Sequence, residues 1–356
     1  MPRTFIRFAM LVLVVVCCGA AAAPAGAVTA TKLSGIAVGV ADQKPDMFAD
    51  PRVSTMGIRY ARLAVSWDAM NIPWEVAELD EWLEGAEQSG VEPLISFMHS
   101  RTKRSRPLPT PLRLRQELRR FRARYPWVTT FATWNEANHC GERTCRRPTL
   151  VAGYYRALRQ ECPSCTVLAP EMLDMPNMQS WARDFRKALG YSPRIWGLHN
   201  YVEANRFKMT RLRQLLKVTV NSQIWLTEVG GLVRRRNNST TDIPEGVRHA
   251  GDVTRFIFDE LLPANPRIKR VYLYHWNAGP LSATWDSGLV NRKGGARSAL
   301  FVLARYMRVN QPVEPVAPTV VPPVAEPPFA PVVPPELAAP PPADDPPPAD
   351  IPPPAA

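Results

Sequence analysis

The feature that most constrains the fold of this chain is the regular alternation of two kinds of segment. Short apolar runs rich in β-branched residues alternate with longer stretches of amphipathic, helical periodicity. Each short run is apolar along almost its whole length, which is typical of parallel strands buried on both faces. The eight predicted strands are 35–40, 60–65, 92–97, 130–134, 166–169, 195–199, 223–227 and 270–274.

Amphipathic stretches lie between these strands. In the stretch 74–89, Leu79, Leu83 and Ala86 fall on one helical face, which predicts packing against the strands. The following Gly90 is a helix stop signal. The other predicted helices are 47–55, 111–125, 149–161, 178–189, 210–220, 245–262 and 293–307.

Strict alternation of strand and helix predicts parallel strands joined by right-handed crossovers. Eight such units favour closure into a (β/α)8 barrel, the TIM barrel, as a single α/β domain over residues 28–311. The alternative is an open doubly wound sheet, which usually carries a glycine-rich phosphate turn after its first strand. Gly35 and Gly39 do not form that motif, so we predict the barrel.

The first 27 residues have the features of a secretory signal peptide. Arg3 and Arg7 precede an apolar run at 8–22, and the small residues 25–27 offer a cleavage site. This run is shorter than the roughly 20 residues that an ordinary transmembrane helix needs. We therefore predict a secreted or extracellular protein, with an uncleaved anchor as the alternative.

Residues 312–356 form a proline-rich tail that contains 19 of the 38 prolines of the chain. Proline removes backbone donors, and such a segment can bury little apolar surface. We predict a disordered, extended segment. It acts either as a spacer that associates the protein with a cell envelope or as a segment without a partner.

The formal net charge is +12. Without Arg3, Arg7 and the six acidic residues of the tail, the segment 28–311 carries +16. A basic body can indicate nucleic-acid binding, but the arginines are scattered along predicted outer helices and no nucleic-acid motif is present. We expect no nucleic-acid partner, which leaves attraction to an acidic glycan or a solvated basic surface.

Four cysteines remain after the signal peptide, in the pattern C-x4-C…C-x2-C. Cys140 and Cys145 follow the fourth strand, whereas Cys162 and Cys165 precede the fifth, at the opposite end of the barrel. A strand rises about 3.3 Å per residue, so the two pairs are too far apart to share a zinc ion or to cross-link. Export favours disulfides, and we predict Cys140–Cys145 and Cys162–Cys165. A free dithiol at the second pair is the alternative.

Active sites of such barrels lie where the strands end at their carboxyl termini. Two carboxylates stand out there, because Glu136 ends the fourth strand and Glu228 ends the seventh, which places them across the barrel mouth. Hydrolysis by double displacement needs such a pair, since one carboxyl protonates the leaving oxygen while the other attacks the anomeric carbon. We predict that these two are catalytic.

Other polar and aromatic residues at the strand ends suit substrate binding. Arg62, His199 and Tyr201 are the right types to keep Glu228 ionised by charge and hydrogen bonds. Asn135 is placed to bond a sugar 2-hydroxyl. The remaining predicted substrate contacts are His99 and the flat apolar faces of Trp67 and Trp276. Glu171 binds either substrate or a neighbouring arginine.

Two motifs extend this prediction. The sequence 134–138, W-N-E-A-N, resembles the W-N-E-P-N box of clan A glycoside hydrolases, especially families 5 and 39. The sequence 225–230, W-L-T-E-V-G, resembles their seventh-strand nucleophile motif. Ala137 stands where the clan most often has proline, which leaves the family within the clan open. The resemblance covers roughly residues 33–310.

This resemblance implies a secreted retaining glycosidase that cleaves O-glycosidic bonds of a β-linked polysaccharide or oligosaccharide. Glu136 would be the acid/base and Glu228 the nucleophile, without a metal or organic cofactor. A β-glucan, a xylan or a galactan would each fit, and we expect a monomer. The alternatives are a non-catalytic glycan-binding barrel and an envelope-associated barrel with a structural role.

Overall fold

The computed structural model describes residues 35–102, 107–236 and 242–309. The predicted signal peptide, 1–27, and the predicted tail, 312–356, lie outside these ranges. In chain order, the strands are β1 (Ala37–Ala41), β2 (Tyr60–Ser66), β3 (Glu92–Met98), β4 (Thr130–Ala132), β5 (Thr166–Leu168), β6 (Glu171–Leu173), β7 (Ile195–His199), β8 (Gln223–Val229), β9 (Arg234–Arg235), β10 (Ile268–Tyr274) and β11 (Trp285–Asp286).

Nine of these strands form one parallel sheet in the order β5-β4-β3-β2-β1-β10-β8-β7-β6, while β9 and β11 form a separate antiparallel pair. The two ends of the sheet, β5 and β6, are halves of one strand that is interrupted at Pro170, which has no N–H to donate. The N–H of Ala169 donates to the carbonyl of Ile195, and the N–H of Glu171 donates to the carbonyl of Trp134, both at 2.9 Å. The interrupted strand is thus bonded on both sides, and the sheet closes into the predicted (β/α)8 barrel.

The helices follow the strands and surround the barrel. In chain order they are α1 (Pro51–Thr55), α2 (Pro73–Gln88), α3 (Pro111–Arg124), α4 (Pro148–Glu161), α5 (Met178–Leu189), α6 (Tyr201–Ala204), α7 (Thr210–Val218), α8 (Val247–Phe256) and α9 (Ser298–Val309). Each of the first four begins with proline, whose missing N–H costs nothing at the first helical position.

Several helices differ from their predicted ranges. Helix α1 begins at Pro51 instead of residue 47, and helix α7 ends at Val218 instead of residue 220. Helix α8 ends at Phe256 and passes into a π-helical turn, Ile257–Leu261, instead of running on to residue 262. Helix α9 begins five residues later than predicted, because Asn291 folds the preceding segment into a turn. Its side-chain Oδ1 accepts the N–H groups of Lys293 at 2.8 Å and Gly295 at 3.0 Å.

A small cluster of side chains from six strands fills the barrel interior and is separate from the larger core between strands and helices. Its members are Ala41, Leu94, Ala132, Leu168, Trp225 and Tyr272. The guanidinium of Arg270 lies over the rings of Tyr60 at 3.9 Å and Trp225 at 4.0 Å. Because these side chains fill the barrel interior, a ligand site can form only where the strands end.

Both predicted disulfides, Cys140–Cys145 and Cys162–Cys165, are present. The first follows β4, and the second lies between α4 and β5, as the alternation of elements required. Two disulfides fit a protein that folds in an oxidising compartment. Within the described ranges, no helix has both the length and the apolar character needed to cross a bilayer.

Candidate active site

The two predicted carboxylates line one cavity at the carboxyl ends of the strands. Glu228 lies near the end of β8, and Glu136 follows β4 with a left-handed backbone, φ +41°. The cavity has a volume of about 460 Å³, and both side chains are partly exposed in it, at 22% for Glu136 and 13% for Glu228. Much of the remaining wall is apolar or aromatic and comes from Leu173, Met175, Ile243, Tyr274 and Trp285.

His199 joins the two carboxylates. Its Nδ1 lies 3.2 Å from Oε1 of Glu136 and 3.8 Å from Oε2 of Glu228, so these two oxygens are at most about 7 Å apart. Its Nε2 lies 3.5 Å from Oε2 of Glu171. The ring is fully buried, so His199 acts on the carboxylates and cannot contact a ligand directly. The predicted substrate contact at His199 is therefore wrong.

Arg62 donates hydrogen bonds to Glu228, Glu171 and Asn135. Its Nη1 donates to Oε1 of Glu228, and its Nη2 donates to Oδ1 of Asn135 at 2.8 Å. Its Nε and Nη2 also donate to both oxygens of Glu171, at 2.7 and 2.5 Å. Because the Arg62 side chain is 0% exposed, its predicted contact with substrate is wrong, whereas its predicted contact with Glu228 is present. Glu171 binds this arginine, one of the two partners considered for it.

Tyr201 completes the surroundings of Glu228. Its hydroxyl donates to Oε2 of Glu228 at 3.0 Å, and its ring packs edge-on against Trp285 and Tyr274 with centroids 5.0 and 6.1 Å away. Since Tyr201 also lines the cavity, it can contact a ligand. The two oxygens of Glu228 are thus held by two different donors, which orients the carboxylate.

The charges in the cavity set the protonation of these groups. Burial alone would raise the pKa of Glu136, but the hydrogen bond and charge of His199, helped by His139, hold that pKa below its ordinary value. Burial alone would lower the pKa of His199, but Glu228 and Glu136 raise it to about 10. At neutral pH the free site therefore holds a His199 imidazolium beside an ionised Glu136.

The two tryptophans predicted as sugar platforms do not line the cavity. Trp276 is 0% exposed, and its backbone N–H and its Nε1 donate to Asp42 and Asp50, each at 2.9 Å. These bonds turn the chain after β10 and bury the ring in the core. Trp67 is 8% exposed and its Nε1 donates to the carbonyl of Pro107 at 3.1 Å. The prediction for Trp276 is wrong because the ring of a residue just past a strand can turn inward, whereas the predicted contact of Trp67 with substrate stays a prediction.

The aromatic wall comes instead from residues that the sequence analysis missed. Tyr274 is the last residue of β10, two positions before Trp276. Trp285 lies on β11, directly opposite Arg235 of β9. The side chains of Tyr274, Trp285 and Arg235 all line the cavity. Strands of two residues have no periodicity to detect, so the sequence held no signal for Trp285 or Arg235.

Asn135 and His99 lie at the margin of the site. Asn135 is 9% exposed, and its Nδ2 donates to Oε1 of Glu142 at 3.3 Å. The Nδ1 of His99 lies 2.9 Å from the other oxygen of Glu142. Their predicted contacts with substrate stay predictions. Glu142, which links them, was missed because it lies in a loop between the two cysteines.

Comparison with solved structures reports on the fold. The chain is similar to a family 39 glycoside hydrolase from Bacteroides cellulosilyticus, with 14% identity, TM-score 0.51, and coverage of 78% of this chain and 64% of that one. It is also similar to a family 10 endoxylanase from a sugarcane soil metagenome, with 12% identity, TM-score 0.55, and coverage of 79% and 99%. A third similar structure is a family 128 endo-β-1,3-glucanase from Amycolatopsis mediterranei, with 16% identity, TM-score 0.53, and coverage of 76% of this chain and 99% of that one.

These neighbours are (β/α)8 glycoside hydrolases of clan A, so the resemblance seen in the two motifs is confirmed at the level of the fold. The chain spans about two thirds of the length of the family 39 enzyme. No protein-family model and no curated protein matches the sequence.

Proposed function

We propose that this chain is a retaining glycoside hydrolase that acts on a β-linked glycan, with Glu228 as nucleophile and Glu136 as acid/base. One observation carries the proposal. Two carboxylates from opposite parts of the strand ring line the same cavity and contact the same buried imidazole. The distance between the nearest oxygens of Glu136 and Glu228 is at most about 7 Å. This limit is compatible with the separation of roughly 5–5.5 Å that double displacement uses.

The surroundings of Glu228 suit a nucleophile. Arg62 and Tyr201 each donate a hydrogen bond to one of its oxygens, which orients the carboxylate. In the first step, an oxygen of Glu228 bonds to the anomeric carbon as the bond from that carbon to the leaving oxygen breaks. Stabilisation by Arg62 and Tyr201 also makes the carboxylate a good leaving group in the second step.

The proton that the leaving oxygen needs is already in the site. In the free protein it resides on His199, whose Nδ1 lies 3.2 Å from Oε1 of Glu136. Substrate in the cavity displaces water from Glu136, which raises the pKa of this carboxyl and favours transfer of the proton to it. Glu136 then protonates the departing oxygen.

Formation of the covalent intermediate removes the negative charge of Glu228. The pKa of Glu136 falls as a result, because a neighbouring like charge has been lost. Glu136 is then a carboxylate that can accept a proton from the attacking water, as the second step requires. The same residue thus acts first as acid and then as base.

The substrate class follows from the walls of the cavity and from the neighbours. Tyr274 and Trp285 offer aromatic faces of the kind that pack on sugar rings. Among proteins of similar fold are endoxylanases and an endo-β-1,3-glucanase bound to laminaripentaose. Together these support a xylan or β-glucan as substrate, and the disulfides support action outside the cell.

A covalent trap tests the proposal. Activated 2-fluoro glycosides of glucose, xylose and galactose should label wild-type protein stoichiometrically, and peptide mapping should find the sugar on Glu228. NMR of the first product released from an unmodified substrate should show the β-anomer. Binding of oligosaccharide without label or turnover would indicate a non-catalytic glycan-binding barrel, and release of the α-anomer would contradict double displacement.

A further inference from the structure

The loop that carries Cys140–Cys145 is built into the site. This disulfide loop follows Glu136 within four residues, and the bridge holds the two Cα atoms 4.8 Å apart. Cys140–Glu142 form one 3-10 turn inside it. A Cβ atom at Gly141 would lie 2.9 Å from the ring of His139, so a larger residue there would require that ring to move. The loop therefore fixes a tight conformation directly beside the acid/base.

Glu142 points inward from this loop. Although it is a carboxylate, it is only 5% exposed. Its Oε2 accepts the backbone N–H of His99 at 3.1 Å and lies 2.9 Å from Nδ1 of the same residue. Its Oε1 accepts Nδ2 of Asn135 at 3.3 Å. Within the described ranges His99 is its one ion-pair partner, so Glu142 ties the end of β3 to the end of β4.

These bonds determine the orientation of the Asn135 amide. Its Oδ1 accepts from Arg62 at 2.8 Å, and one of its two Nδ2 hydrogens goes to Glu142. An amide has two N–H donors, so among the described residues one donor remains for a ligand. Because Arg62 also donates to Glu228, the same network connects the disulfide loop to the nucleophile. Loss of Glu142 would leave the amide held through its Oδ1 alone.

We propose that Glu142 is a positioning residue: it fixes Asn135 so that the remaining amide N–H meets the 2-hydroxyl of the sugar beside the scissile bond, and the Cys140–Cys145 bridge keeps Glu142 in place. The inference deepens the proposed function and rests on it. Hydrogen bonds to the 2-hydroxyl strengthen in the transition state of glycoside hydrolysis, so a well-oriented donor there contributes to the rate.

A substrate without the 2-hydroxyl tests the positioning role. The probes are dinitrophenyl β-glucoside, β-xyloside and β-galactoside, together with the 2-deoxy analogue of whichever the wild type cleaves fastest. Glu142→Ala should lower kcat/KM for the parent glycoside by about 10- to 100-fold but change that for the 2-deoxy analogue less than about threefold. Glu142→Gln keeps one acceptor oxygen, so its kcat/KM for the parent glycoside should lie between those of the wild type and Glu142→Ala. Equal losses on both substrates would mean that Glu142 has only a general structural role.

The second disulfide provides a matched control for the first. Removal of Cys140–Cys145 by double substitution to alanine should reproduce the selective loss on the parent glycoside. Removal of Cys162–Cys165, at the other end of the barrel, should leave the ratio of parent to 2-deoxy rates unchanged while lowering stability. If the two double variants alter this ratio equally, the bridge has no specific part in the site.

A readout that does not depend on activity separates this proposal from the proposed function. The side-chain amide of Asn135 should give two resolved, slowly exchanging NMR signals in the wild type, and Glu142→Ala should shift or broaden them. Wild-type protein that cleaves none of the probes would overturn the glycosidase proposal. An Asn135 amide unaffected by Glu142→Ala would overturn the positioning role, whether or not the chain is an enzyme.

Discussion

Arg62 and Glu171 form an ion pair with two donor–acceptor contacts, at 2.7 and 2.5 Å, and neither side chain is exposed to solvent. Ser96 donates a further hydrogen bond to Glu171 at 2.5 Å. A Cβ atom at Gly197 would lie 2.6 Å from Cγ of Glu171, so glycine makes room for this carboxylate. The Arg62–Glu171 pair orients Glu228, because it fixes the guanidinium that donates a hydrogen bond to Glu228.

Glu171→Gln should destabilise the protein strongly, because it leaves the buried charge of Arg62 without its main partner. We expect the free energy of unfolding to fall by about 3–5 kcal/mol. The half-exposed pair of Asp80 and Arg124 is the control, and Asp80→Asn should cost less than about 1 kcal/mol. Denaturant unfolding of the two variants measures both, and similar losses would argue against the buried pair as a support of the site.

Glu228→Gln should abolish turnover and leave the fold intact, since the amide keeps the shape of the carboxylate but cannot attack carbon. We expect kcat to fall by at least about 10⁴-fold, with little change in the unfolding midpoint. Glu117→Gln replaces a buried carboxylate on α3 that does not line the cavity, and should leave kcat unchanged. Appreciable activity in Glu228→Gln would exclude this residue as nucleophile.

Glu136→Ala should reveal an acid by its dependence on the leaving group. Hydrolysis of an unactivated glycoside should slow by at least about 10³-fold, whereas cleavage of the dinitrophenyl glycoside bond should slow far less, because that leaving group needs no proton. Steady-state and burst kinetics on both substrates make the comparison. Equal losses in the bond-cleavage step would contradict the acid role.

The raised pKa of His199 predicts a pH dependence of stability. Burial opposes the charge of this ring, but Glu228, Glu136 and Glu171 together bring its pKa from 6.5 to about 10. The group binds its proton more tightly in the folded state, so its contribution is complete below about pH 6.5 and is lost between about pH 6.5 and 10. Urea unfolding across this range should show the decline in wild type and a smaller decline in His199→Asn.

A comparison of two tryptophans tests which aromatic residues bind sugar. Trp285→Ala should raise KM for an oligosaccharide by about tenfold, because it removes part of the cavity wall, with a small effect on stability. Trp276→Ala removes a fully buried ring and should cost about 3–5 kcal/mol of stability. Thermal unfolding and Michaelis–Menten kinetics of both variants distinguish these effects. If Trp276→Ala increased KM and left the unfolding temperature unchanged, the original prediction that Trp276 contacts substrate would be restored.

The positions of the strands could be read from the sequence with small errors. The range 195–199 is β7 without change, and β2, β3 and β8 differ from their predicted ranges only at the carboxyl end. The reason is that parallel strands buried on both faces need continuous apolar residues, which are visible in the sequence. The prolines that begin α2 and α4 account for the one-residue shift of those helices.

The position of the two carboxylates was predictable for a similar reason, and their surroundings were not. Glu136 and Glu228 end strands, and the barrel topology brings the ends of all strands to one face. His99, His199 and Arg62 were identified by type, but their distances from the carboxylates depend on side-chain direction. Nothing in the linear sequence relates Glu142 to Asn135, since their contact depends on how one short loop folds back.

The sequence alone thus determined the order of strands and helices, the closure into a barrel, the pairing of the cysteines and the two carboxylates at its mouth. Each of these follows from local periodicity and from a topology that periodicity specifies. Only the tertiary structure decided that Trp276 is buried while Trp285 lines the cavity, and that the buried Arg62 donates to Glu228. The turn of a side chain just past a strand depends on packing and hydrogen bonds with distant residues, such as those of Asp42 and Asp50 with Trp276.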